Sequence, residues 1–164
     1  ELFVVRVAGN IVAPSLIGSI EFAAENFGTQ LCVVMGHTQC GAVSSAIKSV
    51  ISGTRPKSDN VQKIVLEIAP SVREALKAKD IGQAELVIET TRRNVLHSIS
   101  QLTEQSAVIA DLVARDKLGL VGASYDLHSG VVTFLENDAK AVRKPESAIN
   151  GLQLSRPGSH IINA

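Results

Sequence analysis

Apolar, β-branched residues occur in two short runs near the start of the chain, LFVVRVAG (Leu2 to Gly9) and LCVVM (Leu31 to Met35), each closed by a glycine. Such runs suit strands covered on both faces. Between them, APSLIGSIEFAAENFG places Leu16, Ile17, Ile20, Ala23, Ala24 and Phe27 on one helical face. Pro14 or Ser15 marks its start and Gly28 its stop. Strand, helix and strand of this length predict a right-handed βαβ unit with a parallel pair. CGAVSSAIKSVIS predicts a second helix opening at Gln39 or Cys40. After the polar loop Gly53 to Asn60, Val61 to Ala78 reads as a third helix that Pro70 should interrupt or kink.

From about Gln83 to Lys117, apolar residues recur at helical spacing: Leu86, Val87, Val95, Leu96, Ile99 and Leu102, then Val108, Ile109, Leu112 and Val113. This is a core-packing stripe. LVGASYDLHSGVVTFLE (Leu120 to Glu136) reads as two strands joined near Ser129 and Gly130. The periodicity is lost from Asn137 onward. The expected architecture is α/β, a mostly parallel central sheet flanked by helices with a C-terminal strand pair. Residues 1–136 form one domain and 137–164 an irregular tail.

Composition narrows the class. The chain has 164 residues, 45% of them hydrophobic, enough for one sizeable core. Sixteen basic residues balance sixteen acidic ones, which removes the electrostatic footprint expected for nucleic acid. The apolar runs are too short to span a membrane. A small-molecule partner is the expectation. Two cysteines, Cys32 and Cys40, are too few for a disulfide framework and fit a reducing, cytoplasmic setting or a metal role, with a periplasmic or organellar home left open. The start at Glu1, inside an apolar run and without methionine or signal peptide, reads as a piece of something longer.

The stretch GHTQCGAV (Gly36 to Val43) concentrates the chemistry. His37 is expected just past the end of a buried parallel strand and Cys40 in the first turn of the next helix, at the crevice where open α/β sheets bind ligands. Thiolate and imidazole together suit Zn²⁺, and the flanking Gly36 and Gly41 permit close backbone approach. An H-x-x-C pair alone arises by chance in roughly 0.05 of such chains, so the surrounding pattern must carry the argument. Cys32, among apolar neighbours, reads as packing. His97, His128 and His160 are not assigned to metal.

LFVVRVAGN, the helix, LCVVMGHTQCGAV, the long helical stretch and SYDLHSGVVTFLE, in this order, resemble the β-class carbonic anhydrases over about Glu1 to Glu136. The resemblance implies zinc held by two cysteines and a histidine, interconversion of carbon dioxide and bicarbonate, and a homodimer or homotetramer. It assigns His37 and Cys40 as two of the metal ligands. It also places Phe3, Ala8, Phe22 and Gly41 around the substrate pocket, although Phe3 and Phe22 read equally well as ordinary core. The family's Cys-x-Asp-x-Arg block, with the third ligand and a catalytic Asp–Arg pair, is absent from these residues, and Asp126 is a poor substitute. The chain by itself is expected to be inactive or impaired. Arg6 and Tyr125 resemble two members of a noncatalytic bicarbonate pocket found in part of the family, while a structural salt bridge explains Arg6 equally well. The alternatives are a catalytically silent oligomerisation module, or a relative hydrolysing carbonyl sulfide or carbon disulfide.

Overall fold

The computed structural model describes residues 2–135, so the tail 137–164, with His160, and the domain edge at Glu136 lie outside the described residues. Helix α1, Pro14–Phe27, begins where Pro14 supplies a preset φ and ends at Gly28, whose φ of 63° lets its N–H reach the Ala23 carbonyl. Strand β1, Leu31–His37, runs into helix α2, Gly41–Ser52, which Gly53 closes in the same left-handed way. Helix α3, Asp59–Ala75, starts from a Ser58 hydroxyl accepting the Val61 N–H.

Pro70 does not interrupt α3. It lies on the exposed face, where the carbonyl of Leu66, left without its helical donor, can turn to water. The long amphipathic region is two helices, α4 (Gln83–Gln105) and α5 (Ala107–Ala114). They part at the extended Ser106, whose hydroxyl accepts from Ile109 N–H at 3.0 Å and donates to Glu21 Oε1 at 2.6 Å. That side chain both caps α5 and ties the break to α1.

Strands β2 (Gly119–Tyr125) and β3 (Val132–Phe134) follow, in the sheet order β1-β2-β3. β1 and β2 are parallel from Leu31↔Gly119 to His37↔Tyr125, and β2 and β3 are antiparallel from Ala123↔Phe134 to Tyr125↔Val132. The C-terminal strand pair is therefore present, and all of α2 to α5 lie in the crossover between the parallel strands. Helix α4 lies on the sheet, with Val95, Ile99 and Leu102 packing in a cluster with Leu118, Leu120 and Ile17. A second cluster joins α2, α3 and α4 through Val43, Ile47, Val65, Ile68, Val72 and Leu86, and takes in Cys40.

The expected first strand is not formed. Residues 2–7 have no regular structure, and Leu2 is 88% and Val4 64% exposed. A strand exists only through ladder bonds to a neighbour, and among the described residues nothing pairs with this segment. The βαβ unit expected around α1 therefore does not appear, and the parallel partner of β1 is β2. Arg6 is exposed. At Ala8–Asn10 the chain makes a short 3-10 turn.

Candidate metal centre

His37 closes β1 and is half-buried. Its Nδ1 lies 2.8 Å from the Thr38 carbonyl, an atom that can only accept, so Nδ1 carries the proton and Nε2 keeps the lone pair a metal requires. The next residues turn sharply, with Gln39 at a φ of 57°. Thr38 anchors that turn to the other strands: its N–H donates to Tyr125 O at 3.0 Å, and its hydroxyl accepts from Leu127 N–H at 3.0 Å. Cys40 is the residue before α2, 5% exposed, with its carbonyl bonded to Ser44 N–H and no capping bond from its side chain. Its sulfur thus stands at the amino terminus of α2 without a capping bond.

Two donors of the right chemistry stand at one strand end, and they fit half of a tetrahedral nitrogen–sulfur site. Among the described residues no group of three His, Cys, Asp or Glu side chains comes together around a common point. Cys32 stands near the opposite end of β1, opposite Leu120, and burial pushes its thiol up to about 11, consistent with packing. Asp126 is a turn residue. Its Oδ1 accepts from Ser129 N–H at 2.7 Å, Ser129 Oγ at 2.8 Å and His128 N–H at 3.0 Å, and the Ser129 bonds hold its carboxyl below the ordinary carboxylate range. His97 lines a shallow cleft between α3 and α4 with Glu74, Arg92 and Arg93.

Among the expected pocket residues, Gly41 directly follows Cys40, and Ala8 is exposed at the start of the 8–10 turn. A Cβ on Gly9 would lie 3.1 Å from Ala42 Cβ, so the Ala8–Asn10 turn abuts the start of α2, and a Cβ on Gly41 would meet open space. Phe3 and Phe22 are 49% and 52% exposed, which corrects the reading of either as core. Both pack on Phe27, with ring centroids 6.0 and 5.5 Å away. Tyr125 stands opposite His37 in the ladder and is half-buried.

Two residues of α4 went unread in the sequence. Asn94 Nδ2 donates to Gly9 O at 2.7 Å, and the Ser98 hydroxyl lies 2.7 Å from Asn10 O and accepts from Asn10 Nδ2 at 3.1 Å. The available signal was two small polar residues, four apart, inside the apolar stripe of Val95 and Ile99.

Residues 1–132 match the family model for carbonic anhydrase, and the chain belongs to that family. Its fold is that of the β class. Carbonic anhydrase 2 of Mycobacterium tuberculosis is 35% identical over 130 residues, covering 79% of this chain and 60% of that protein. The chain thus spans about 60% of the length of that curated relative. The β-carbonic anhydrase CcaA superimposes with a TM-score of 0.72 at 22% identity, over 87% of this chain and 69% of that one. A tetrameric β-carbonic anhydrase from Sordaria macrospora gives 0.65 at 21% identity, over 79% and 66%. No helix among the described residues is long and apolar enough to cross a membrane.

Proposed function

We propose that the protein is a zinc-dependent carbonic anhydrase interconverting carbon dioxide and bicarbonate, and that residues 1–164 alone hold zinc weakly and turn over poorly. The observation that carries this reading is His37 at the end of β1 and Cys40 at the start of α2, the imidazole with Nδ1 on the Thr38 carbonyl, within a chain of this family. Nε2 of His37 and Sγ of Cys40 would be two of the ligands. The remaining ligand lies outside residues 2–135, because the described residues contribute no third donor. When bound, zinc supplies the Lewis acidity that makes hydroxide available near neutral pH.

The chain's own residues position and shape the site. The Thr38 carbonyl orients the imidazole, and the bonds from Thr38 to the β2–β3 turn fix the segment leading to Cys40. Gly41, beside Cys40, leaves open space where a side chain would stand, room that a small uncharged substrate could use. Phe3 and Phe22 reach this pocket from a partner's side or remain in the interface. Arg6 and Tyr125 belong to a bicarbonate-responsive pocket only if a partner or a further segment covers the exposed Arg6. The two unpaired cysteines favour a cytoplasmic home.

The incomplete donor set also favours a second reading, a catalytically silent module. Zinc content and stopped-flow hydration decide between them. In the full-length protein, His37→Ala and Cys40→Ser should each abolish zinc retention and turnover together, whereas a silent module has neither to lose. For residues 1–164, equimolar zinc surviving dialysis against a mild chelator would overturn the two-ligand argument. Hydrolysis of carbonyl sulfide outpacing hydration of carbon dioxide would reassign the substrate.

A further inference from the structure

The Ala8–Asn10 turn touches both elements that carry the metal donors. On one side Gly9 abuts Ala42, two residues past Cys40. On the other, a Cβ on Gly36, the neighbour of His37, would lie 3.7 Å from Asn10 Oδ1. The turn is not a relaxed one. Gly9 has a φ of 68° and Asn10, which has a side chain, a φ of 43°. Consecutive left-handed residues persist only where the surroundings over-determine them.

Here the surroundings are two buried side chains of α4. Asn94 and Ser98 are each 2% exposed and one helical turn apart. Asn94 donates to the Gly9 carbonyl, and Ser98 lies 2.7 Å from the Asn10 carbonyl and 2.9 Å from the Asn94 carbonyl. The hydroxyl has one proton for those two acceptors, and Asn10 Nδ2 donates back to it. The Gly9 and Asn10 carbonyls are thereby tied to α4, the helix that also packs on β1 and β2.

We propose that Asn94 and Ser98 are positioning residues for the metal site: through the Ala8–Asn10 turn they set the spacing between the end of β1, with His37, and the start of α2, with Cys40. This rests on the reading of His37 and Cys40 as metal donors. Neither side chain touches the metal or substrate; each acts through the turn.

The test uses the 164-residue chain with Co²⁺ as the metal probe. Asn94→Ala and the milder Ser98→Ala are compared with Ile99→Val, which loosens α4 where it faces Gly122 rather than the turn. Thiolate-to-cobalt charge transfer reports Cys40 ligation, and amide exchange reports residues 8–12 and 36–41. The expected result is a dissociation constant raised roughly 10- to 100-fold by either polar substitution and unchanged by Ile99→Val. Exchange in both segments should quicken together, by roughly tenfold for loss of one buried hydrogen bond. If residues 8–12 loosen while residues 36–41 and the Co²⁺ affinity stay at wild-type values, the proposal is overturned. If the wild-type chain binds Co²⁺ too weakly to give a charge-transfer band, as two ligands alone allow, exchange alone decides positioning: coupled loosening supports it and uncoupled loosening overturns it.

Discussion

Gly36 and Thr91 approach so closely that a Cβ on Gly36 would lie 2.8 Å from Thr91 Cγ2, with Val95 Cγ2, one helical turn on, at 2.9 Å. Both neighbours are β-branched helix residues with stiff χ1, so neither can swing away. The absence of a side chain at Gly36 is what lets α4 settle on β1 one residue before His37.

Gly36→Ala should therefore destabilise the fold by about 1–3 kcal/mol, the ordinary range for overpacking. Urea unfolding measures it. Gly41→Ala is the matched control, because its Cβ would enter open space. Equal midpoints for the two variants would show that α4 can shift outward at little cost.

Ser106 serves two partners, the Ile109 N–H and Glu21 Oε1. Ser106→Ala removes the cap of α5 and leaves a partly buried carboxylate without its donor. The expected loss is about 1–2 kcal/mol, the upper part of the range for caps. Glu21→Gln, which keeps an acceptor oxygen, should lose less. A cap variant that unfolds at the wild-type midpoint would mean that α5 is held by packing of Ile109 alone.

Much of the fold was legible because the chain states it locally. Pro14 and Gly28 bound α1 by their backbone restrictions, and the Ser129–Gly130 turn separates two strands whose pairing needs no distant partner. His37 and Cys40 were legible because strand end and helix start fix their places. Leu2 to Gly9 misled for a physical reason: its composition is that of a strand, but a ladder needs a neighbour, and none pairs with it among the described residues. Pro70 misled because the cost of a proline depends on which face of the helix it occupies. Asn94 and Ser98 were illegible because their acceptors, Gly9 and Asn10, lie more than 80 positions away.

Cys32 packs against the sheet cluster, and burial raises its thiol from 9.0 to about 11. Below pH 9.0 the sulfur is protonated in both states and stability does not depend on it; between 9.0 and about 11 the unfolded thiol ionises first, so stability falls as pH rises through that window. In a Cys40→Ser background, alkylation by iodoacetamide at pH 8 should run at roughly a thousandth of the thiolate rate and climb about tenfold per pH unit. A rate profile with its midpoint at 9.0 would show Cys32 to be as accessible as a free thiol.

The last prediction concerns assembly. Leu2, Phe3, Val4, Phe22 and Phe27 are all exposed, and the three aromatic rings form a contiguous group through Phe27. Val33 and Met35 of β1 are exposed too, on a strand whose only ladder partner among the described residues is β2. Soluble monomers seldom leave such apolar groups in water, and a strand edge without a ladder partner among the described residues adds unbonded N–H and C=O groups. A homodimer or homotetramer formed over α1 and residues 2–7 removes both liabilities. Light scattering at micromolar concentration should give a mass at least twice the monomer's 17.3 kDa. Phe22→Glu combined with Phe27→Glu should shift the distribution toward monomer without altering the far-ultraviolet circular dichroism, because neither ring contributes to the two buried clusters. A wild-type chain that runs as a stable monomer would place the cover elsewhere, and a double variant that stays assembled would move the interface away from α1.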